Sequence, residues 1–252
     1  MAFCPYALLM IGSWVPAVGR VARQQAAPVT YTLIVACCAI FVISPNSGLN
    51  PVHGTGDGLV AAQRAYFERW GVVPVELLSG SPRAWLTPVT ALFVHGSWLH
   101  LLGNMLFLYV FGLMVEERMG HLQYTLFYVG CGALALLAYA IAHAGSGQTL
   151  VGASGAISAV LGAFLHLFPQ ARVTSLFPFL FFLPLRFPAW VVLPFWVALQ
   201  WVAAGQASRG PAVAYLAHLV GFSLGFLYAW VRGRGPSRVK TSGKATEGDS
   251  QP

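Results

Sequence analysis

A chain of 252 residues with 57% hydrophobic and only 8% charged side chains cannot clothe a water-surrounded globule, since soluble domains carry about a quarter charged residues. Its mean hydropathy of +0.69 excludes an ordinary soluble enzyme and points to an all-α, polytopic membrane protein. The net charge of +7 does not argue for nucleic acid, because five of the 14 basic residues (Arg232, Arg234, Arg238, Lys240 and Lys244) gather near the C-terminus, as in an anchor beside anionic lipid.

In chain order, residues 1–27 form an apolar N-terminal segment broken by Pro5 and Pro16, without the basic start of a signal peptide. A bilayer core of about 30 Å takes about 20 apolar residues per helix, and residues 28–233 hold six such stretches. They run from Pro28 to Pro45, Val94 to Val115, Leu122 to His143, Thr149 to Phe168, Pro188 to Ala204 and Ala212 to Val231. Pro194 should bend the fifth. Residues 234–252 are rich in Gly, Ser, Thr and Lys, a composition expected to stay disordered. Cys4, Cys37, Cys38 and Cys131 lie in apolar stretches and show neither disulfide nor metal-ligand spacing.

Two connections are unusual. The loop from Asn46 to Thr90 is long, with balanced charge, and its "AAQRAYFERWGVVPVELL" has helical spacing with aromatics, which suits an interfacial helix. The proline-broken run Ser175 to Pro188 has no clear assignment. Arg20, Arg23, Arg172, Arg186 and the C-terminal cluster all fall on one side of a six-helix topology. The positive-inside rule makes that side cytoplasmic, with both termini there. Trp190, Trp196, Trp201 and Trp230 suit a lipid-facing or interfacial belt, and His53, His121, His143 and His166 fall near helix ends or in loops.

Polar groups inside such segments are costly and point to function. The second stretch supplies His95, His100 and Asn104, with the last two on one helix face; the fourth supplies Ser154 and the sixth His218. From the helix rise these lie at roughly 9 Å depth for His100, roughly 7 Å for Ser154 and roughly 10 Å for His218 below the outer ends. Gly152 and Gly155 clear space around the hydroxyl, and Gly221 and Gly225 present a small face after His218 that permits close helix packing. An imidazole can activate a serine hydroxyl, and Asn104, His100 and the Ser154 backbone amide can stabilise an oxyanion. No Asp lies in the six stretches, so the expectation is a Ser154–His218 dyad with no carboxylate third member. No cofactor is expected, and no metal: His95 and His100 are five apart and the zinc-protease His-Glu-x-x-His pattern is absent.

The motifs "HGSWLHLLGN" (His95 to Asn104), "GASG" (Gly152 to Gly155) and "AHLVG" (Ala217 to Gly221) together resemble the rhomboid family of intramembrane serine proteases. The resemblance covers about Pro28 to Gly233 and implies a six-helix rhomboid-like bundle that hydrolyses peptide bonds in or beside the transmembrane helices of protein substrates. It makes Ser154 the nucleophile, His218 the base, and His100 and Asn104 the oxyanion donors. "VEERMG" resembles the family's element ending the second helix, where Glu116 and Arg118 are structural; His95 is expected to tether loop to helix. The implied setting is the plasma or inner membrane, with the site opening toward the outer face and with lipid and membrane-protein substrates as partners. Two departures stand out: Trp85 is followed by Leu86 rather than Arg, and Ser158 occupies a position where some members stack a Tyr on the histidine. The rival readings are an inactive rhomboid-like chaperone or binding protein and, more distantly, a transporter.

Overall fold

The computed structural model describes residues 27–177, 183–206 and 215–233. The expected N-terminal segment up to residue 26, the tail 234–252 and the start of the sixth stretch lie outside the described residues.

Helix α1, Pro28–Ile43, begins with a proline in its first turn, where the missing N–H and fixed φ cost nothing. Its own cap residue, Ala27, offers no side-chain bond. Instead Glu116, from a distant part of the chain, accepts hydrogen bonds from the backbone N–H groups of Val29 (2.9 Å) and Thr30 (2.7 Å). A carboxylate at a helix N-terminus satisfies orphan donors and complements the helix dipole. The side chain of Glu116 is 0% exposed, and His121 Nδ1 donates to the same carboxylate at 2.8 Å. His121, expected to be an unremarkable helix-end residue, is thus part of this cap.

The long loop is built rather than loose. It contains α2, Gly56–Trp70, which buries none of its side chains, and the short α3, Pro74–Leu78, followed by helical turns over Ala84–Phe93. Between α2 and α3, Val72 pairs with Leu150 in an isolated antiparallel bridge. A Cβ on Gly71 would collide with Thr149 and Val151, so the loop is clamped directly to the segment that leads into Ser154.

Helix α4, Trp98–Met119, starts under a Ser97 cap whose hydroxyl accepts from the His100 N–H at 3.2 Å. It carries a π-helical turn at Leu108–Gly112. Trp98 Nε1 donates to Ser47 O at 3.0 Å, tying the start of α4 to the turn Pro45–Ser47 that follows α1. Gly120, at φ +84°, turns the chain at once into α5, His121–Ala142. At 22 residues each, α4 and α5 are long and apolar enough to cross a membrane by length and composition; the other apolar helices are shorter.

Helix α6, Ser154–Leu167, is buried without interruption from Gly155 to Phe164. A helix apolar all round belongs at the centre of its fold, and α6 is the hub against which α4, α5, α7 and α8 pack. The stretch left unassigned by sequence is in part a hairpin. Strand β1, Arg172–Phe177, pairs antiparallel with β2, Leu183–Pro188, with Arg172 opposite Pro188 and Phe177 opposite Leu183. Prolines are tolerated in a two-stranded ribbon because each strand has a free edge. Helix α7, Ala189–Gln206, contains Pro194, and α8, Tyr215–Val231, closes the bundle.

Helices therefore occupy all six apolar stretches. The tightest seam joins α6 to α8. A Cβ on Gly162 would run into the backbone of Phe222 and Phe226, one on Gly221 into Gly155 O, and one on Gly225 into Ala159 O. Backbone lies on backbone along this line, as small residues permit.

Candidate active site

Ser154 opens α6, so its own N–H is one of the helix's four orphan donors. The preceding turn depends on Gly152, whose φ of +126° is one that L side chains rarely adopt. The local crowding adds a second requirement. A Cβ at Gly152 would stand 2.8 Å from His100 Cε1, 2.9 Å from His100 Nε2 and 3.7 Å from Asn104 Nδ2. The face of α4 bearing His100 and Asn104 is therefore pressed against the turn that presents Ser154.

His218 sits in the first turn of α8, across the glycine seam. Its Nε2 lies 2.8 Å from Ser154 Oγ, and its Nδ1 lies 2.8 Å from Gln200 Oε1 on α7. With the amide oxygen turned to the ring, as it stands here, Nδ1 carries the proton, Nε2 presents its lone pair, and the serine O–H donates to it. That is the tautomer in which an imidazole can take up the hydroxyl proton. Trp196, one turn before Gln200, lies with its ring 6.2 Å from the imidazole at 32°, and Tyr215 approaches edge-on at 6.4 Å.

His100 is aligned by its surroundings as well. The Gly96 N–H points at His100 Nδ1 over a long 3.5 Å contact; accepting there leaves the proton on Nε2, beside Gly152. Asn104 is 9% exposed, and its Nδ2 makes no hydrogen bond among the described residues. A buried donor left without a partner costs about 1–3 kcal/mol. His95 is 1% exposed, with Nδ1 3.3 Å from Phe93 O and its ring edge-on to His100 at 5.3 Å, beneath the loop rather than at the hydroxyl.

Of the residues singled out by sequence, Ser154, His218, His100, Asn104 and Gly152 converge in space. Gly155, Gly221 and Gly225 line the α6–α8 seam. Glu116 and Arg118 lie in the last turns of α4, a region that also caps α1 and is separate from this cluster. The Ser158 hydroxyl bonds back to Ser154 O at 2.7 Å, and its Cβ lies in the α6–α8 seam, where a Cβ on Gly221 would stand 3.3 Å from it. One expectation about α7 needs correction, and one of its residues was missed. Trp196 is buried against His218 and Phe222 rather than facing lipid, whereas Trp190, Trp201 and Trp230 are exposed. Gln200, which sequence reasoning passed over, is 1% exposed and touches the imidazole; the available signal was a carboxamide in an otherwise apolar helix.

A helical bundle that holds a half-buried, hydrogen-bonded Ser–His pair, with the unpaired Asn104 amide beside it, defines a class: an apolar membrane protein with a serine-centred polar site. Residues 82–235 match the Rhomboid domain. The chain is 37% identical over 142 residues to Rhomboid protein 1, mitochondrial, of Saccharomyces cerevisiae, covering 55% of this chain and 39% of the yeast protein. It is 30% identical over 183 residues to Rhomboid-like protein 11, chloroplastic, of Arabidopsis thaliana, covering 68% of this chain and 61% of that one. A third similarity, 31% over 167 residues, is to the Arabidopsis RHOMBOID-like protein 1, covering 65% of this chain and 38% of the relative. This chain belongs to the rhomboid family. It spans between about two fifths and three fifths of the length of these relatives.

Proposed function

We propose that the protein is an intramembrane serine endopeptidase in which Ser154 is the nucleophile and His218 the base, acting on the transmembrane helices of membrane-protein substrates. The observation that carries this reading is the 2.8 Å contact between Ser154 Oγ and His218 Nε2, set beside the unpaired Asn104 amide. Ser154 Oγ attacks the scissile carbonyl carbon as its proton passes to His218 Nε2. The carbonyl oxygen becomes an oxyanion, met by Asn104 Nδ2, His100 Nε2 and the Ser154 N–H. Collapse returns the proton from Nε2 to the leaving amine, and water then repeats the sequence on the acyl-enzyme.

The same reading places the six apolar helices across a bilayer. The N-terminal ends of α4, α6 and α8 lie on the external side and both chain termini on the cytoplasmic side of a plasma or inner membrane. At 14 residues, α6 is roughly 21 Å long, shorter than a bilayer core of about 30 Å, and this reading sets the shortfall at its outer end, with Ser154 below the outer face. Water has to descend to it.

The test is cleavage of a transmembrane reporter by purified protein, together with labelling by a fluorophosphonate. Wild type cleaves and labels. Ser154→Ala and His218→Ala each lower cleavage by about 10³-fold or more, to similar residual levels, because the pair acts as a unit. Labelling that survives Ser154→Ala removes the nucleophile assignment, and a wild type that binds the reporter without cutting it turns the reading to a binding protein.

A further inference from the structure

We propose that Gln200 is a positioning residue that completes the Ser154–His218 pair, fixing the imidazole in its base-competent tautomer from a third helix. The inference rests on the protease reading above and adds to it a role for α7.

From Ala189 to Val202, Gln200 is the one side chain of α7 with an acceptor oxygen. It is 1% exposed, and a buried amide without partners costs about 1–3 kcal/mol. Its oxygen is used on His218 Nδ1 at 2.8 Å, so the imidazole is bonded through both nitrogens along the line Ser154 Oγ, Nε2, Nδ1, Gln200 Oε1. If the proton moved to Nε2 the serine would face a donor, and if the ring turned over it would face Cε1; in neither case could it pass on its proton. Gln200 opposes both changes, since its oxygen can accept only a proton carried on Nδ1.

Trp196, one turn earlier, walls the same imidazole. Two side chains of one helix thus set the ring's plane and its proton. A neutral amide does this without introducing a charge into an apolar interior, where a carboxylate would need a desolvated ionic partner. As imidazolium forms, the Nδ1–H bond to an oxygen dipole strengthens, so the contact favours the transition state as well as the resting state.

Three variants and one spectrum test this. Gln200→Met keeps the length and volume but lacks the oxygen; Gln200→Glu keeps an acceptor at the same reach. The expected result is a kcat lowered about 10- to 100-fold for Gln200→Met, the scale typical of lost orienting partners. KM stays within twofold, thermal unfolding is little changed, and Gln200→Glu recovers most of the lost kcat. In bilayer samples with ¹⁵N-labelled histidine, His218, assigned by comparison with His218→Ala, should carry its proton on Nδ1 in wild type and become a tautomer mixture in Gln200→Met. A kcat for Gln200→Met within twofold of wild type, equal losses in the Met and Glu variants, or a wild-type His218 protonated on Nε2 would each overturn the proposal. The spectrum also separates failures: a wild type that cuts no reporter sinks the protease reading, while the tautomer of His218 still decides the role of Gln200.

Discussion

Asn104 holds a buried amide N–H with no hydrogen-bond partner among the described residues, next to the Gly152 turn. Removing one oxyanion donor typically costs 10²–10³ in kcat. Asn104→Ala should therefore lower single-turnover cleavage by about that factor while leaving substrate affinity close to wild type; a large rise in KM with kcat intact would make it a binding contact instead. Ser154, His100, Asn104 and His218 were legible in the sequence because a polar group in an apolar helix is expensive and needs a reason, and because spacing of four puts His100 and Asn104 on one face. Gln200 and Trp196 were not. An uncharged amide and an indole both occur in membrane helices for bland reasons, and only three-dimensional packing turns their face of α7 toward His218.

Helices were readable as elements because long apolar runs favour them, although α4 begins four residues and α6 five residues later than expected. The hairpin was not: the run through Phe177 and Leu183 is apolar enough for a helix, and its prolines mask the strand pairing. Packing between elements was half visible. The Gly221 and Gly225 spacing announced a close seam, and the structure adds that no Cβ fits there. Gly225→Val should destabilise the fold by at least the 1–3 kcal/mol typical of overpacking, seen as a lower unfolding temperature in detergent, since Ala159's backbone cannot step aside. At the other end of the bundle, Glu116→Ala strands the Val29 and Thr30 N–H groups. A loss of about 1–3 kcal/mol is expected, with Glu116→Gln milder because the amide oxygen can still accept one of them. Glu116→Ala does not touch the Ser154 cluster, so residual folded protein should keep its kcat, whereas Gly225→Val forces apart the two helices that carry Ser154 and His218 and should lower kcat as well.

On the scale of the whole molecule, the proposed orientation follows from where the Arg and Lys residues fall, with Arg232 closing α8 beside Tyr228. A reporter fused after the last residue should behave as a cytoplasmic passenger: fluorescent protein bright, periplasmic phosphatase inactive. The opposite pattern would invert the bundle and put the hydroxyl near the inner leaflet. Composition carried the apolar, mostly helical class, whereas the clamp of Val72 on Leu150 pairs residues far apart in the chain, with no local signature.

The α6–α8 seam restricts how anything can reach the hydroxyl. Main chain rests on main chain there, so that wall has no side chain to swing aside and cannot be parted without unpacking the centre of the protein. The neighbouring wall, on α7, is made of side chains, Trp196 and Gln200. A peptide wedging in on that flank would pull the carboxamide off the imidazole as it entered, leaving the base unsteadied until the helix settled back. Admission and chemical competence would then be successive states of one moving part, and a guest too bulky to let α7 reseat would be held uncut.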